Sequence, residues 1–136
     1  MKQQTRTALI VEDQELWREQ FFGEALRDLG FVVFLASNKE EALTLLDEQE
    51  FDLAVIDINL TAVTGNRDGL IVAEHLETIG STMPVIVVSG TDGGFRVLQE
   101  REYRIFAKIP KDLFNLELFI SKVQLAMTKP GLEEVD

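Results

Sequence analysis

Three short apolar runs in this chain each end at a polar residue. The run ALIV leads into Glu12 and Asp13, LAVI leads into Asp57, and VIVV leads into Ser89. A short apolar run bounded by turn signals is typical of a buried strand in a parallel sheet. The carboxyl ends of parallel strands lie at one edge, and open α/β sheets bind ligands there. The runs therefore predict both a fold and a site.

Strand and helix patterns alternate along the whole sequence. Strands are predicted over Ala8–Val11, Phe31–Ala36, Phe51–Ile56, Val85–Val88 and Ile105–Ile109. Helices are predicted over Gln14–Leu29, Lys39–Gln49, a segment from Asp68 to Ile79, Phe95–Glu102, and a segment from Asp112 or Asn115 to Met127. Alternating βα units favour a parallel sheet with helices on both faces. The sequence therefore predicts an α/β fold, with a single doubly wound sheet of five parallel strands and five helices.

Local signals predict several helix boundaries. Asn38, followed by Glu41 three residues later, is a capping-box signature for the start of the second helix. Gly30 and Gly80 are predicted to end the first and third helices, because glycine accepts the left-handed conformation of a helix terminus. Asp68 is predicted to cap the third helix at its N-terminus.

The composition limits the classes of function. The 136 residues fit one domain, and the absence of cysteine excludes disulfides, zinc–thiolate sites and a cysteine nucleophile. The formal net charge of −11 disfavours direct binding to nucleic acid or to an anionic membrane, because phosphate groups are repelled. No apolar run approaches the length of a membrane span. We therefore expect a cytoplasmic protein that contacts neither nucleic acid nor membrane.

Three carboxylates are expected to converge at the carboxyl edge of the sheet. Glu12, Asp13 and Asp57 cannot all ionise cheaply at short range, so either their pKa values rise or a divalent cation lies among them. Carboxylates, a backbone carbonyl and waters suit Mg²⁺. A carboxylate can also attack phosphorus, and a metal, a lysine and a hydroxyl such as that of Ser89 would neutralise the transferred group. These residues together predict phosphoryl chemistry.

The ordered set of motifs resembles the receiver domain of two-component response regulators. ALIVEDQELWREQF is similar to the family's first strand and acid pair, and FDLAVIDINL is similar to its phosphoacceptor strand. DGLIVAEHL is similar to the start of the third helix, and MPVIVVSG to the fourth strand with its switch hydroxyl. The resemblance covers Ala8 to Met127. It implies a receiver domain at 8–127, an N-terminal extension at 1–7, an acidic C-terminal tail or linker at 128–136, and the flavodoxin-like strand order 2-1-3-4-5.

The resemblance also implies a role for each residue of the predicted site. It implies that Asp57 is phosphorylated and that Mg²⁺ is bound by Glu12, Asp13, Asp57 and the backbone carbonyl of Asn59. It further implies that Ser89 and a lysine contact the phosphoryl group.

Two lysines lie near the end of the fifth strand. In the family, the lysine typically follows the switch hydroxyl by the 22 positions that separate Lys111 from Ser89, whereas Lys108 follows Ser89 by 19. Lys111 is therefore the expected phosphoryl-binding lysine.

Three features depart from the family pattern. Asp112 follows Lys111 where the family usually has a proline with a cis bond before it. Lys108 occupies the usual position of an aromatic switch residue, and Phe106 is the alternative aromatic. The loop Thr61–Arg67 makes the segment after Asp57 about four residues longer than usual. Each departure bears on how phosphorylation at the site would change the surface that binds partners.

The implied function is signalling, with no catalysis beyond self-catalysed phosphotransfer and autodephosphorylation. Asp57 would accept a phosphoryl group from a sensor histidine kinase or a histidine phosphotransfer protein. The surface of the fifth strand and the last two helices would then change its affinity for a downstream effector protein or domain. No DNA-binding segment follows Met127, so a stand-alone regulator and an excised domain are both open, as is a homodimer.

Two other functions compete with this interpretation. A small haloacid-dehalogenase-type phosphatase also uses a strand-end Asp, a strand-end hydroxyl and a lysine, but it needs a second acid where Asn59 stands. An unphosphorylated, receiver-like binding module is the other alternative. The intact acids and Lys111 argue against the module, whereas Lys108 and Asp112 favour it.

Overall fold

The computed structural model describes residues 5–60, 67–90 and 105–128, and within them five strands form one sheet. The strands are β1 (Arg6–Val11), β2 (Phe31–Ala36), β3 (Leu53–Asp57), β4 (Val85–Ser89) and β5 (Ala107–Pro110). All neighbouring strands pair in parallel, in the order β2-β1-β3-β4-β5. This confirms the predicted flavodoxin-like sheet and its order.

Four helices and one 3-10 turn accompany the sheet in the described part of the chain. Helix α1 joins a π-helical segment, Leu16–Gly23, to an α-helical one, Glu24–Asp28. The others are α2 (Lys39–Glu48), α3 (Asp68–Thr78), the 3-10 turn Lys111–Leu113 and α4 (Leu116–Thr128). The fifth helix predicted over Phe95–Glu102, most of the loop Thr61–Arg67 and most of the terminal segments 1–7 and 128–136 lie outside the described residues.

Alternate residues of the central strands face two separate cores. On one face of the sheet, Leu9, Val11 and Ile56 pack with Val72 and Leu76 of α3. On the opposite face the strands pack against α1 and α4. The main residues of that second core are Ala8, Ile10, Val55, Ile86, Val88, Phe22, Leu26, Phe119 and Val123. Burial on both faces is why the strands read as continuous apolar runs, and it confirms the doubly wound arrangement.

The strand register brings the polar ends of the apolar runs to one edge. Val11, just before the acid pair, aligns with Ile56, just before Asp57. Asp57 in turn aligns with Val88, and Ser89 aligns with Pro110, just before Lys111. The carboxyl ends of four strands therefore place their polar residues side by side.

The helix boundaries follow most of the predicted signals. Asn38 Oδ1 accepts the Glu41 N–H at 2.8 Å, which confirms the N-cap of α2, while the Glu41 carboxylate accepts the N–H and hydroxyl of Ser37. Gly30 and Gly80, which follow α1 and α3, have φ angles of 98° and 70°, as the left-handed terminus requires.

The predicted N-termini of α3 and α1 are wrong, and the structure decides which residue caps the last helix. Asp68 does not cap α3: it is the first helical residue, and the cap position, Arg67, makes no side-chain cap bond. Helix α1 begins at Leu16 rather than Gln14, and much of it has π-helical hydrogen bonds, such as Glu24 N–H to the Glu19 carbonyl. Asn115 rather than Asp112 caps α4, because its Oδ1 accepts the Leu118 N–H at 2.7 Å. In the described residues, no helix has the length and apolar character to cross a membrane.

Candidate functional site

A lysine joins two buried carboxylates at the carboxyl edge of the sheet. The Lys111 Nζ atom lies 3.1 Å from Asp57 Oδ2, 3.2 Å from Glu12 Oε2 and 3.1 Å from Glu12 Oε1. The side chains of Glu12 and Asp57 are 0% and 3% exposed, and that of Lys111 is 13% exposed. Charges removed from water in this way interact strongly, so the lysine and the two acids form one electrostatic unit.

Asp13 adds a third carboxylate to this unit. One carboxylate oxygen from each of Glu12, Asp13 and Asp57 lies within 4.8 Å of the others. Backbone N–H groups orient two of the acids: Asn59 donates to Asp57 Oδ1 at 3.1 Å, and Gln14 donates to Glu12 Oε2 at 3.2 Å. The predicted convergence of the three acids is therefore present in the structure.

The charge balance of the cluster favours an additional cation. Burial, together with the negative charge of Asp57, raises the pKa of Glu12 to about 8, although Lys111 opposes the rise. Burial also raises the pKa of Asp57, again opposed mainly by Lys111. The single positive charge of Lys111 therefore compensates the negative charge of the carboxylates only in part.

The donor set fits Mg²⁺. Buried Glu12 Oε1 has no hydrogen-bond donor among the described residues, although the Lys111 ammonium is close. This oxygen, which accepts no hydrogen bond from the described residues, lies beside two further carboxylates. Together with water molecules, such carboxylates form the all-oxygen ligand set that Mg²⁺ prefers. The site thus has the chemistry that the sequence predicted for a metal.

The Ser89 hydroxyl is buried at the end of β4 and contacts the loop after Asp57. Ser89 Oγ donates to the Asn59 side-chain oxygen, Oδ1, at 3.1 Å. Only the backbone carbonyl of Asn59 was predicted to take part in the site, so the contact made by its side chain was missed. No sequence signal pointed to the contact, because the strand-end pattern brings the two segments together but does not specify which side chains form hydrogen bonds.

Gly69 fixes the position of the loop after β3. Its N–H donates to the Ile58 carbonyl at 2.9 Å. A Cβ atom at Gly69 would lie 2.7 Å from Ile58 Cα and 2.8 Å from the Asp57 carbonyl carbon, which is closer than side chains approach backbone. Only glycine allows the start of α3 to pack so closely on this loop. The DG step at 68–69 was its sequence signal.

Two consecutive residues of α1 also reach the site. Arg18 Nη1 donates to the carbonyl oxygens of Glu12 and Asp13, at 3.1 and 3.3 Å, and so holds the loop that carries the acid pair. The Lys111 ammonium lies 4.8 Å from the centroid of the Trp17 ring system. Neither Trp17 nor Arg18 was among the site residues predicted from the sequence.

Two of the residues that depart from the family pattern, Phe106 and Lys108, can be placed in the structure. Lys108 and Phe106 are exposed, and Lys108 is not the lysine that contacts the carboxylates. In the described residues every peptide bond is trans, including the one between Lys111 and Asp112.

These observations define a doubly wound α/β domain with a buried acidic cluster at the carboxyl ends of its strands. Residues 8–124 match the response regulator receiver domain family. The chain belongs to that family.

Individual relatives agree with this assignment. The two-component response regulator PhoP of Pseudomonas aeruginosa is 33% identical over 81 residues, which are 60% of this chain and 34% of PhoP. The chain spans about a third or less of the length of the curated relatives it matches.

Solved structures of receiver domains share the fold. A CheY-like receiver domain protein of Methanospirillum hungatei superposes with a TM-score of 0.79 at 21% identity, covering 96% of this chain and 99% of that one. The response regulator TrrA of Thermotoga maritima, solved in complex with Mg²⁺–BeF, gives a TM-score of 0.72 at 24% identity, covering 88% and 97%.

Proposed function

We propose that this chain is a phosphorylation-dependent signalling receiver whose phosphoacceptor is Asp57. The observation that carries the proposal is the contact between Lys111 Nζ and Asp57 Oδ2, in a buried cluster that also contains Glu12 and Asp13. A carboxylate held beside a cation at a strand end is suited to receive a phosphoryl group. The negative charge of that group is stabilised by the positive charge of Lys111, which is already in position.

The donor would be a phosphohistidine of a sensor histidine kinase or a histidine phosphotransfer protein. An Asp57 carboxylate oxygen forms the new O–P bond as the N–P bond breaks, and the departing imidazole nitrogen keeps the bonding electron pair and takes up a proton. The Asn59 N–H holds Oδ1 throughout. Lys111 and the Ser89 hydroxyl then contact the phosphoryl oxygens.

Mg²⁺ would be held by Glu12, Asp13, Asp57 and the backbone carbonyl of Asn59. When bound, it supplies positive charge that stabilises the transferring phosphoryl group. The similarly folded response regulator TrrA, whose structure contains Mg²⁺ and BeF, supports the choice of Mg²⁺ as the ion.

The output would be a change in binding rather than a chemical product. Residues 8–127 would form the receiver, with the segment 1–7 as an extension and 128–136 as a tail or linker. Phosphorylation would alter the surface around β5 and α4, and with it the affinity for a downstream effector protein or domain. Nucleic acid and membrane are not expected as direct partners, and the location would be cytoplasmic.

Intact-mass spectrometry tests the phosphoacceptor. The protein is incubated with Mg²⁺ and acetyl phosphate, and we expect one acid-stable, base-labile phosphoryl adduct. Asp57→Ala should abolish the adduct, because it removes the nucleophile. Asp47→Ala, which removes an exposed acid of α2 far from the cluster, should leave it unchanged.

The same experiment separates the alternatives. Continuous hydrolysis of a phosphate ester would identify a phosphatase, which the Asn59–Ser89 contact argues against because no second acid stands there. Absence of an adduct from folded wild-type protein would identify an unphosphorylated binding module and contradict the proposal.

A further inference from the structure

The Lys111 side chain has a third neighbour besides its two carboxylates. Its ammonium lies 4.8 Å from the centroid of the Trp17 ring system, within the range at which an aromatic face attracts a cation. Because Lys111 is largely buried, this attraction is screened less than it would be at the surface. Trp17 is the only tryptophan in the chain.

Neighbouring aromatic rings hold Trp17 in place. Its ring centroid lies 4.8 Å from that of Phe21, 5.6 Å from that of Phe22 and 5.1 Å from that of Phe114. The edge-to-face geometry with Phe21 and Phe114 is the favourable one for aromatic pairs. These three ring contacts restrict the orientation of the indole.

Phe114 ties the same cluster to the backbone of Lys111. The Phe114 N–H donates to the Lys111 carbonyl at 3.2 Å and closes the 3-10 turn. Trp17 thus contacts the charged end of Lys111 directly and, through Phe114, the turn that carries it. Two independent contacts place the lysine relative to α1.

The lysine needs such a constraint because its two carboxylates compete for it. Glu12 offers two oxygens at 3.1 and 3.2 Å, and Asp57 offers one at 3.1 Å. Lysine is a flexible chain with a point charge, so the carboxylates alone do not select one position. The contact with the Trp17 indole gives the ammonium a further neighbour that limits how far it can move from Asp57 and Glu12.

We propose that Trp17 is a positioning residue for Lys111: its indole holds the ammonium where it meets the phosphoryl group on Asp57. This inference rests on the proposed phosphoacceptor function. It adds a residue of α1 to the set on which the reaction depends.

The test compares rates of adduct formation with acetyl phosphate and Mg²⁺, followed by intact mass. Trp17→Leu should slow adduct formation about fivefold to thirtyfold, which corresponds to about 1–2 kcal/mol of cation–π energy. Trp17→Phe keeps an aromatic face and should restore the rate to within about threefold of wild type. Phe34→Leu breaks the Phe34–Phe51 aromatic pair away from the site and should leave the rate unchanged.

A fluorescence measurement tests the contact without any phosphodonor. Trp17 is the sole indole fluorophore, so Lys111→Met should shift or intensify its emission in folded protein, with thermal unfolding confirming the fold of each variant. Phe34→Leu should leave the emission unchanged.

The outcomes separate the two proposals. If wild-type protein forms no adduct, the phosphoacceptor function fails and the positioning role falls with it. If wild type forms the adduct and Trp17→Leu matches its rate, or Trp17→Phe is as slow as Trp17→Leu, the positioning role alone is overturned. Unchanged emission in Lys111→Met also overturns it.

Discussion

At the residue scale, Glu12 is a fully buried carboxylate whose surroundings favour its neutral form. Burial and the charge of Asp57 raise its pKa to about 8, and the Lys111 ammonium only moderates this rise. An acid that follows a strand at the edge of a soluble domain is usually hydrated and ionised. The buried position of Glu12 therefore costs stability at neutral pH, which bound Mg²⁺ would offset.

The elevated pKa of Glu12 predicts how stability depends on pH. The folded protein binds a proton at Glu12 more tightly than the unfolded chain, whose carboxyl has a pKa of 4.5. The free energy of unfolding should therefore fall as pH rises from about 4.5 to about 8, with a slope of at most ~1.4 kcal/mol per pH unit for one proton. Asp57 adds to the fall, because its pKa is also raised.

Urea unfolding in metal-free buffer at several pH values measures this slope. Glu12→Gln should flatten this slope and should increase stability at pH 8, because it removes a buried negative charge and its repulsion from Asp57. A slope unchanged by Glu12→Gln would contradict the assignment of Glu12 as the titrating group.

Removal of the Lys111 ammonium should lower stability at pH 8, whereas Glu12→Gln should raise it. Lys111→Met leaves two buried carboxylates without their cation, so we expect a loss of about 3 kcal/mol at pH 8. The loss should be smaller at pH 5, where the carboxylates bind protons. Lys108→Met, which changes an exposed lysine of β5, is the control and should change stability by less than about 0.5 kcal/mol. Equal losses at the two pH values would count against an ionic origin.

At the element scale, the geometry of α1 and the loop after β3 decides what reaches the site. The π-helical segment Leu16–Gly23 presents Trp17 to Lys111, while the next residue, Arg18, binds the carbonyls of Glu12 and Asp13. π-Helical turns are rare and frequently occur at functional sites. Here the segment allows two consecutive side chains to hold different parts of one cluster.

The contact of α3 with the β3 loop predicts a specific effect of Gly69→Ala. The added methyl group would collide with the backbone of Asp57 and Ile58, so the loop must move. We expect a loss of about 1–3 kcal/mol in stability together with slower phosphorylation of Asp57.

Gly80→Ala is the matched control for Gly69→Ala. Its Cβ would meet nothing within 4 Å, but its φ of 70° strains any residue with a side chain. It should lose about 1–2 kcal/mol of stability and keep the phosphorylation rate. If Gly69→Ala also kept the wild-type rate, the loop geometry would not matter for the reaction.

At the scale of the whole molecule, the net charge of −11 and the acidic cluster act in the same direction. A strongly acidic chain repels itself and attracts cations in general, whereas the cluster offers one defined site. The two effects differ in their dependence on a single residue. Only the defined site should respond to the loss of one carboxylate.

Thermal unfolding in MgCl₂ separates these effects. Bound Mg²⁺ stabilises the folded state by about 2.7 kcal/mol when its concentration is a hundred times the Kd. We expect a rise in Tm that exceeds the rise in KCl of equal ionic strength. Asp13→Asn should remove most of this excess, whereas Asp47→Asn should keep it. An excess that survives in Asp13→Asn would contradict the proposed ligand set.

The sequence alone predicted the strands, their order along the chain and the convergence of the acids. These features depend on local patterns: buried runs of β-type residues, Asn38 and Glu41 at a helix start, and glycines at helix ends. Glu12, Asp13 and Asp57 could be placed together because strand ends in a parallel sheet share one edge. The predicted α/β fold and family were confirmed, and the residue roles at the site remain predictions to be tested.

Particular side-chain contacts around the site were decided only by the tertiary structure. The contact of the Trp17 indole with Lys111 and the hydrogen bond from Ser89 to Asn59 both depend on how the elements pack together. No periodicity or spacing encodes that packing. The three polar-ended runs determined where the site lies, and the packing of α1, α3 and the turn at Lys111 determined which side chains complete it.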